Sequence, residues 1–450
     1  MTRKTKVFSA ILLSLILCLS GLVTAAMAQE PPEPTADPNA TQGIYAKPAQ
    51  GGLTKLLKVP VGTVIPTLDF YFNVTPISVD GDASKTGSMP EIGANNVVTI
   101  SFADGTTAEA DDDGIMNLYQ ESGDLFETLI GTTAWPHTGI FVYEIAEDTA
   151  RSGIDENTPH EYATYSPARY KVNVYVLQDN ATGEYYVKAI GALVVAADIA
   201  GQETNIKVDP TPGIATAQSH SKMIFTNTYV KTNGPEDPKN PLHDDKTTLA
   251  ISKAVDGEFS SNSVYFRFNL TLTAPAVPSQ DSGNYRAYVI ENDAFVKKNV
   301  LSNTAMNNVD PLSISQDAKG NDYIPFTSAS QPSFSLKHGQ KLVFFDTPVG
   351  TRYSVTEEAA TAYEPSYKIY RGTLPSPIGS GSADISASLS TGDLRIDEEG
   401  NTVAYTNNRD MVTPTGLNLN DLPFIIMIAL ALLGTAGYIV VKSRKTKGCN

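Results

Sequence analysis

A chain of 450 residues is long enough for two or three domains with cores of their own. Its formal net charge of -16 at pH 7 argues against a nucleic-acid partner. Its two cysteines, Cys18 and Cys449, lie in terminal segments expected to be removed on export, which leaves no disulfide to stabilise the mature chain.

Residues 1–28 read as a secretory signal. Arg3, Lys4 and Lys6 form a basic start, residues 7–23 are largely apolar, and Ala26-Met27-Ala28 is an A-x-A cleavage site before Gln29. Lipidation of Cys18 is the weaker reading, because Leu15-Ile16-Leu17 lacks the small residues such a site prefers. Residues 29–50 are rich in Pro, Ala, Gln and Thr without periodicity, as expected of a disordered leader.

Residues 51–231 carry a series of strand-like runs: LDFYFNVTP, NVVTISF, GIFVYEIAE, RYKVNVYVLQ, EYYVKAIGALVV and KMIFTNTYV. β-branched and aromatic residues dominate them, and turn residues separate them. Residues 124–131 are the one candidate for a short helix. Residues 232–246 have the Pro-rich polar composition of a linker. A second region of the same character fills residues 247–410, with a polar insert at 299–322 that reads as a loop. The expected fold class is all-β: two tandem Ig-like β-sandwich domains, at 51–231 and 247–410.

The tail, residues 411–450, has three parts. Thr413-Pro414-Thr415-Gly416 comes first. An apolar run at 423–441, about long enough to span a bilayer, follows. Lys442, Ser443, Arg444, Lys445 and Lys447 end it with a basic cluster, which holds the C-terminus on the cytoplasmic side.

Within the two β regions one pattern occurs twice. In LTKLLKV, Lys55 alternates in phase with Leu53, Leu57 and Val59; in LAISKAV, Lys253 does so with Leu249, Ile251 and Val255. FYFNV (70–74) follows the first lysine and FRFNL (266–270) the second. A Gly-led strand then ends in glutamate, GIFVYEIAE at Glu147 and GTRYSVTE at Glu357. Each region closes on an aromatic-Thr-Asn, with Asn227 in phase with Phe225 and Asn407 in phase with Tyr405. Glu144 and Glu358 fall on the opposite faces, and Asn408 is the nearest rival to Asn407.

Taken singly, an inward Lys, Glu or Asn is most often a hydrogen-bonded core group. A triple that recurs in the same order points to chemistry. Burial favours a neutral lysine amine and a protonated glutamic acid. The amine attacks the Asn carboxamide carbon, the glutamic acid hydrogen-bonds the amide oxygen and shuttles the proton, and ammonia leaves. Proximity in the core compensates for the poor electrophile. A Lys–Asn isopeptide bond remains.

These motifs resemble the sortase-anchored pilins of Gram-positive bacteria whose β-sandwiches carry self-generated isopeptide bonds. The resemblance covers both β regions and the tail. It implies cross-links Lys55–Asn227 and Lys253–Asn407, with Glu147 and Glu357 as their catalytic residues. It also implies cleavage by a sortase between Thr415 and Gly416, in an LPXTG-like signal that departs from the commonest pentapeptide at its first residue. Thr415 is then joined to another pilin subunit or to peptidoglycan, and the membrane holds the chain only before cleavage. Lys222 is the candidate acceptor for polymerisation. The implied location is the extracellular surface, anchored to the cell wall. The implied function is that of a structural fibre subunit; the alternative is a wall-anchored adhesin with a host ligand.

His137, His160, His220, His243 and His338 are scattered, with no H-E-x-x-H spacing, and G-x-S-x-G is absent from the sequence. No metal, cofactor or turnover of an external substrate is therefore expected.

Overall fold

The computed structural model describes residues 49–126, 135–154, 161–198, 202–213, 221–232, 247–277, 283–297, 314–327, 330–372, 374–410 and 422–446. The signal segment, nearly all of the leader and linker, and Thr413 to Gly416 lie outside the described residues. Residues 124–126 are not helical, and the rest of the candidate short helix also lies outside them.

Each β region is a pair of sheets enclosing one apolar core. In the first, one sheet has the strand order Ile115–Glu121, Thr54–Pro60, Ile224–Lys231, Glu161–Thr164. The other runs Val97–Phe102, Leu68–Val79, Gly139–Glu147, Arg169–Gln178, Tyr185–Ala196, Lys207–Val208. Alternation decides which side of each strand is buried. In Arg169–Gln178, for example, Tyr170, Val172, Val174 and Val176 are buried, while Arg169, Lys171 and Tyr175 are exposed.

The second region repeats this plan. Its larger sheet centres on Leu249–Asp256, flanked by Gln340–Phe344 and Asn401–Asn408. The facing sheet holds Phe334–Leu336, Phe266–Thr273, Arg352–Glu357 and Leu389–Ser390. The polar insert is not loop throughout: Ser315–Gln316 pairs with Asp322–Thr327 around a turn. Asp317 builds that turn by accepting hydrogen bonds from the Lys319 and Asn321 amides, a local signal that period-two reading passes over.

In both regions the first and last strands are parallel neighbours. Lys55 lies beside Phe225 and Leu57 beside Asn227. Lys253 lies beside Tyr405 and Val255 beside Asn407. The two registers are the same, so each asparagine stands two positions on from its lysine's partner, on the same face. The facing sheets also match, with Glu147 opposite Phe72 and Glu357 opposite Phe268.

The two regions touch. Glu398 of the second region takes the Lys231 amine at 3.1 Å and the Val64 amide at 2.7 Å, and Val349 donates its amide to the Lys231 carbonyl. Ile115, Val230 and Val277 form a small apolar cluster across this junction.

The tail forms a helix, Leu422–Thr446. Its segment Pro423–Arg444 has a mean hydropathy of 2.5 and is not buried against the rest of the chain. At 1.5 Å per residue its 22 residues reach about 33 Å, enough for the roughly 30 Å hydrocarbon core of a bilayer.

Candidate functional site: a buried Lys–Glu–Asn cluster in each sandwich

The structure brings together all six residues that the repeated pattern singles out, three in each core. Lys55 and Asn227 come from neighbouring strands of one sheet, and Glu147 comes from the sheet that faces them. Lys55 Nζ donates to Glu147 Oε2 at 2.9 Å, and Asn227 Nδ2 donates to Glu147 Oε1 at 2.7 Å. In the second sandwich Lys253 Nζ lies 3.0 Å from both Glu357 oxygens, and Asn407 Nδ2 donates to Glu357 Oε1 at 2.5 Å. In each case one carboxyl bridges the lysine amine and the asparagine amide.

The surroundings are apolar. Lys55 and Asn227 are fully buried, as is Asn407, and Lys253 and Glu357 are nearly so. Two phenylalanines wall in each amine. Lys55 Nζ sits 4.5 Å from the Phe70 ring and 5.6 Å from Phe72; Lys253 Nζ sits 4.2 Å from Phe266 and 5.7 Å from Phe268. These rings exclude water, and their faces offer the ammonium form a weak partner. The repeated F-x-F motif was visible in the sequence only as a sign of the repeat. Its place against the lysine emerges once the sheets are stacked.

Burial sets the titration. Desolvation lowers the Lys55 amine to about 8, against the opposing pull of the neighbouring Glu147 charge. Lys253 is lowered to about 8 for the same reason, opposed by Glu357. Desolvation raises the Glu357 carboxyl above the ordinary carboxylate range, although Lys253 pulls it back. Each shift favours the neutral partner, so the step from an ammonium–carboxylate pair to an amine–carboxylic acid pair is made easier.

One detail differs from the expectation. The glutamates face the amide nitrogens, not the amide oxygens. In the first sandwich the Ser166 backbone N–H fixes this orientation by donating to Asn227 Oδ1 at 2.8 Å. A backbone N–H only donates, so the atom that meets it must be the oxygen. Glu147 is thus placed at the amide nitrogen of Asn227.

The glutamates of the opposite faces and the rival asparagine lie elsewhere. Glu144 pairs with Arg169 at the surface, and Glu358 pairs with Arg267. Asn408 donates to Asp410 outside the core. Lys222 precedes the last strand of the first sandwich, and its Nζ reaches the Thr211 carbonyl at 2.8 Å and Asp209 at 3.3 Å. Among the described residues no cluster of His, Cys, Asp and Glu is arranged to hold a metal ion.

Fold and site together define a class: tandem all-β sandwiches, each with an amine, a carboxyl and a carboxamide meeting in a dry core between its first and last strands. The chain is similar to Gram-positive pilins. A curated pilin of Streptococcus pyogenes serotype M1 is 26% identical over 260 residues, which are 53% of this chain and 65% of that protein. The chain therefore matches somewhat less than two thirds of that relative's length. A family model described as a domain of unknown function (DUF7601) matches residues 247–409. Among solved structures, the major pilin from Streptococcus pyogenes aligns over 81% of this chain and all of its own, at 16% identity and a TM-score of 0.29. A pilus-presented adhesin aligns over 50% of this chain and 36% of its own, at 14% identity and a TM-score of 0.19.

Proposed function

We propose that the chain is a structural pilin subunit of a Gram-positive cell-surface fibre, stapled by two Lys–Asn isopeptide bonds and joined by a sortase through Thr415. The observation that carries this reading is the shared geometry of the two cores, where a single glutamate bridges lysine and asparagine in each.

The step balances within each cluster. The lysine ammonium gives a proton to the glutamate. The freed amine attacks the asparagine Cγ, the new C–N bond forms, and the old Cγ–Nδ2 bond breaks. The glutamic acid gives its proton to the departing nitrogen, which leaves as ammonia, and the carboxylate so formed takes the second proton of the attacking nitrogen, leaving a neutral amide and a protonated glutamic acid. Glu147 and Glu357 are the catalytic residues of a reaction that happens once per sandwich.

Such a bond ties the first strand of a sandwich to the last. Pull applied at the two ends is then borne by covalent bonds and not by strand hydrogen bonds. This supports a fibre role for a mature chain without cysteine. The apolar helix and the basic residues after it hold the precursor in the membrane while the sortase acts, and Lys222 is the acceptor proposed for the next subunit's Thr415.

The decisive measurement is the intact mass of the folded chain with its cross-linked peptides mapped. Loss of two ammonias, one at each Lys–Asn pair, is expected; a mass equal to that of the uncondensed chain refutes the staples. Sortase treatment then separates a shaft subunit, which gives polymer ladders on a denaturing gel, from an anchored adhesin, which gives a single species.

A further inference from the structure

We propose that the first sandwich carries an oxyanion donor for its own cross-linking, the Ser166 backbone N–H, held in place by the buried carboxylate of Asp198. This inference rests on the isopeptide reading and adds residues to its machinery.

Ser166 lies just beyond strand Glu161–Thr164, where the chain leaves one sheet for the other. Its N–H points at Asn227 Oδ1, the oxygen that gains negative charge when Lys55 attacks the adjoining carbon. A donor already aimed at that oxygen stabilises the tetrahedral intermediate without reorganisation. Asp198 is buried, and its Oδ1 accepts hydrogen bonds from Ser166 Oγ at 2.5 Å and from the Thr226 amide at 2.9 Å. Thr226 is the residue before Asn227. One carboxylate oxygen thus grips both the donor's residue and the neighbour of the electrophile.

The charge of Asp198 does not explain its presence. A carboxylate near Lys55 favours the ammonium form and so opposes formation of the nucleophile. Its useful contribution is geometric, which makes Asp198 a positioning residue. Among the described residues the second sandwich has no counterpart. Asn407 Oδ1 is buried with no hydrogen-bond partner among the described residues, and Pro365, which sits opposite Asn407 in the sheet, has no N–H to offer.

The test uses the full chain, synthesised in vitro with detergent present and quenched at intervals. Peptide mapping follows ammonia loss at the two sites separately, so the second sandwich is an internal standard in the same molecule. In Asp198→Ala and in Ser166→Ala the first-sandwich reaction slows roughly tenfold or more, short of the roughly 10²–10³-fold seen when an oxyanion donor is removed outright. The second-sandwich rate is unchanged. Asp198→Asn keeps an oxygen for both hydrogen bonds and restores the wild-type rate. Ser166→Ala removes no buried charge, so it keeps the proposal testable if Asp198→Ala fails to fold. A first-sandwich rate unchanged in both Asp198→Ala and Ser166→Ala overturns the proposal, as does an Asp198→Asn variant as slow as Asp198→Ala. Absence of ammonia loss from both sandwiches of the wild-type chain refutes the isopeptide reading itself, a result separate from either of these.

Discussion

Replacing Glu357 by glutamine tests the staple in the second sandwich at one atom's cost in shape. The side chain is buried, and its two oxygens take the Lys253 amine and the Asn407 amide. Glutamine fills the same space and still presents one oxygen to Lys253. It cannot take the amine's proton or return one to the leaving nitrogen, so the bond does not form. The proposed bond between Lys253 and Asn407 closes a loop of about 150 residues, and the loop-closure relation gives its removal a cost of about 5 kcal/mol. For a domain of this size each kcal/mol moves the melting point by about 2–4 °C, so a fall of roughly 10–20 °C is expected. Calorimetry on the full chain reads that shift, and the intact mass of the same sample shows one ammonia retained. An unaltered mass loss, or a melting point within about 5 °C of wild type, refutes the reasoning.

The remaining predictions concern the other cluster, pH and assembly. Glu147→Ala abolishes ammonia loss in the first sandwich, whereas Glu144→Ala and Glu358→Ala leave both losses intact; intact mass distinguishes them. The rate of cross-linking is bell-shaped in pH, because the Lys253–Glu357 pair reacts only while it holds one shared proton. Above about pH 8 the pair has lost that proton, so the carboxyl stays ionised and cannot act as the acid at the amide, and the rate falls. Below the raised titration of Glu357 both groups are protonated and the amine is no nucleophile. A rate by time-resolved mass that stays flat from about pH 7 to 10 contradicts this scheme. Thr415→Ala prevents every sortase product, and Lys222→Arg removes the polymer ladder while sparing single attachment; a ladder that survives Lys222→Arg moves the acceptor elsewhere.

The sequence determined which residues turn inward. A strand's side chains alternate strictly, so Lys55, Glu147 and Asn227, and Lys253, Glu357 and Asn407, could be assigned to the buried faces from phase alone. The recurrence of the triple in order pointed to the cluster in each core and to the chemistry proposed for it, and the apolar run of the tail announced its helix. Tertiary structure decided what period two does not encode: which strands are neighbours, in which direction and at what offset. The parallel pairing of first and last strands sets lysine and asparagine two positions apart, and the stacking of the facing sheet drops glutamate and two phenylalanines onto them. Ser166 and Asp198 were illegible because they stand at strand ends, where no periodicity marks a residue and function depends on where the chain happens to turn. The orientation of the amide toward its glutamate belongs to the same class, since a single backbone N–H from a distant part of the chain settles it.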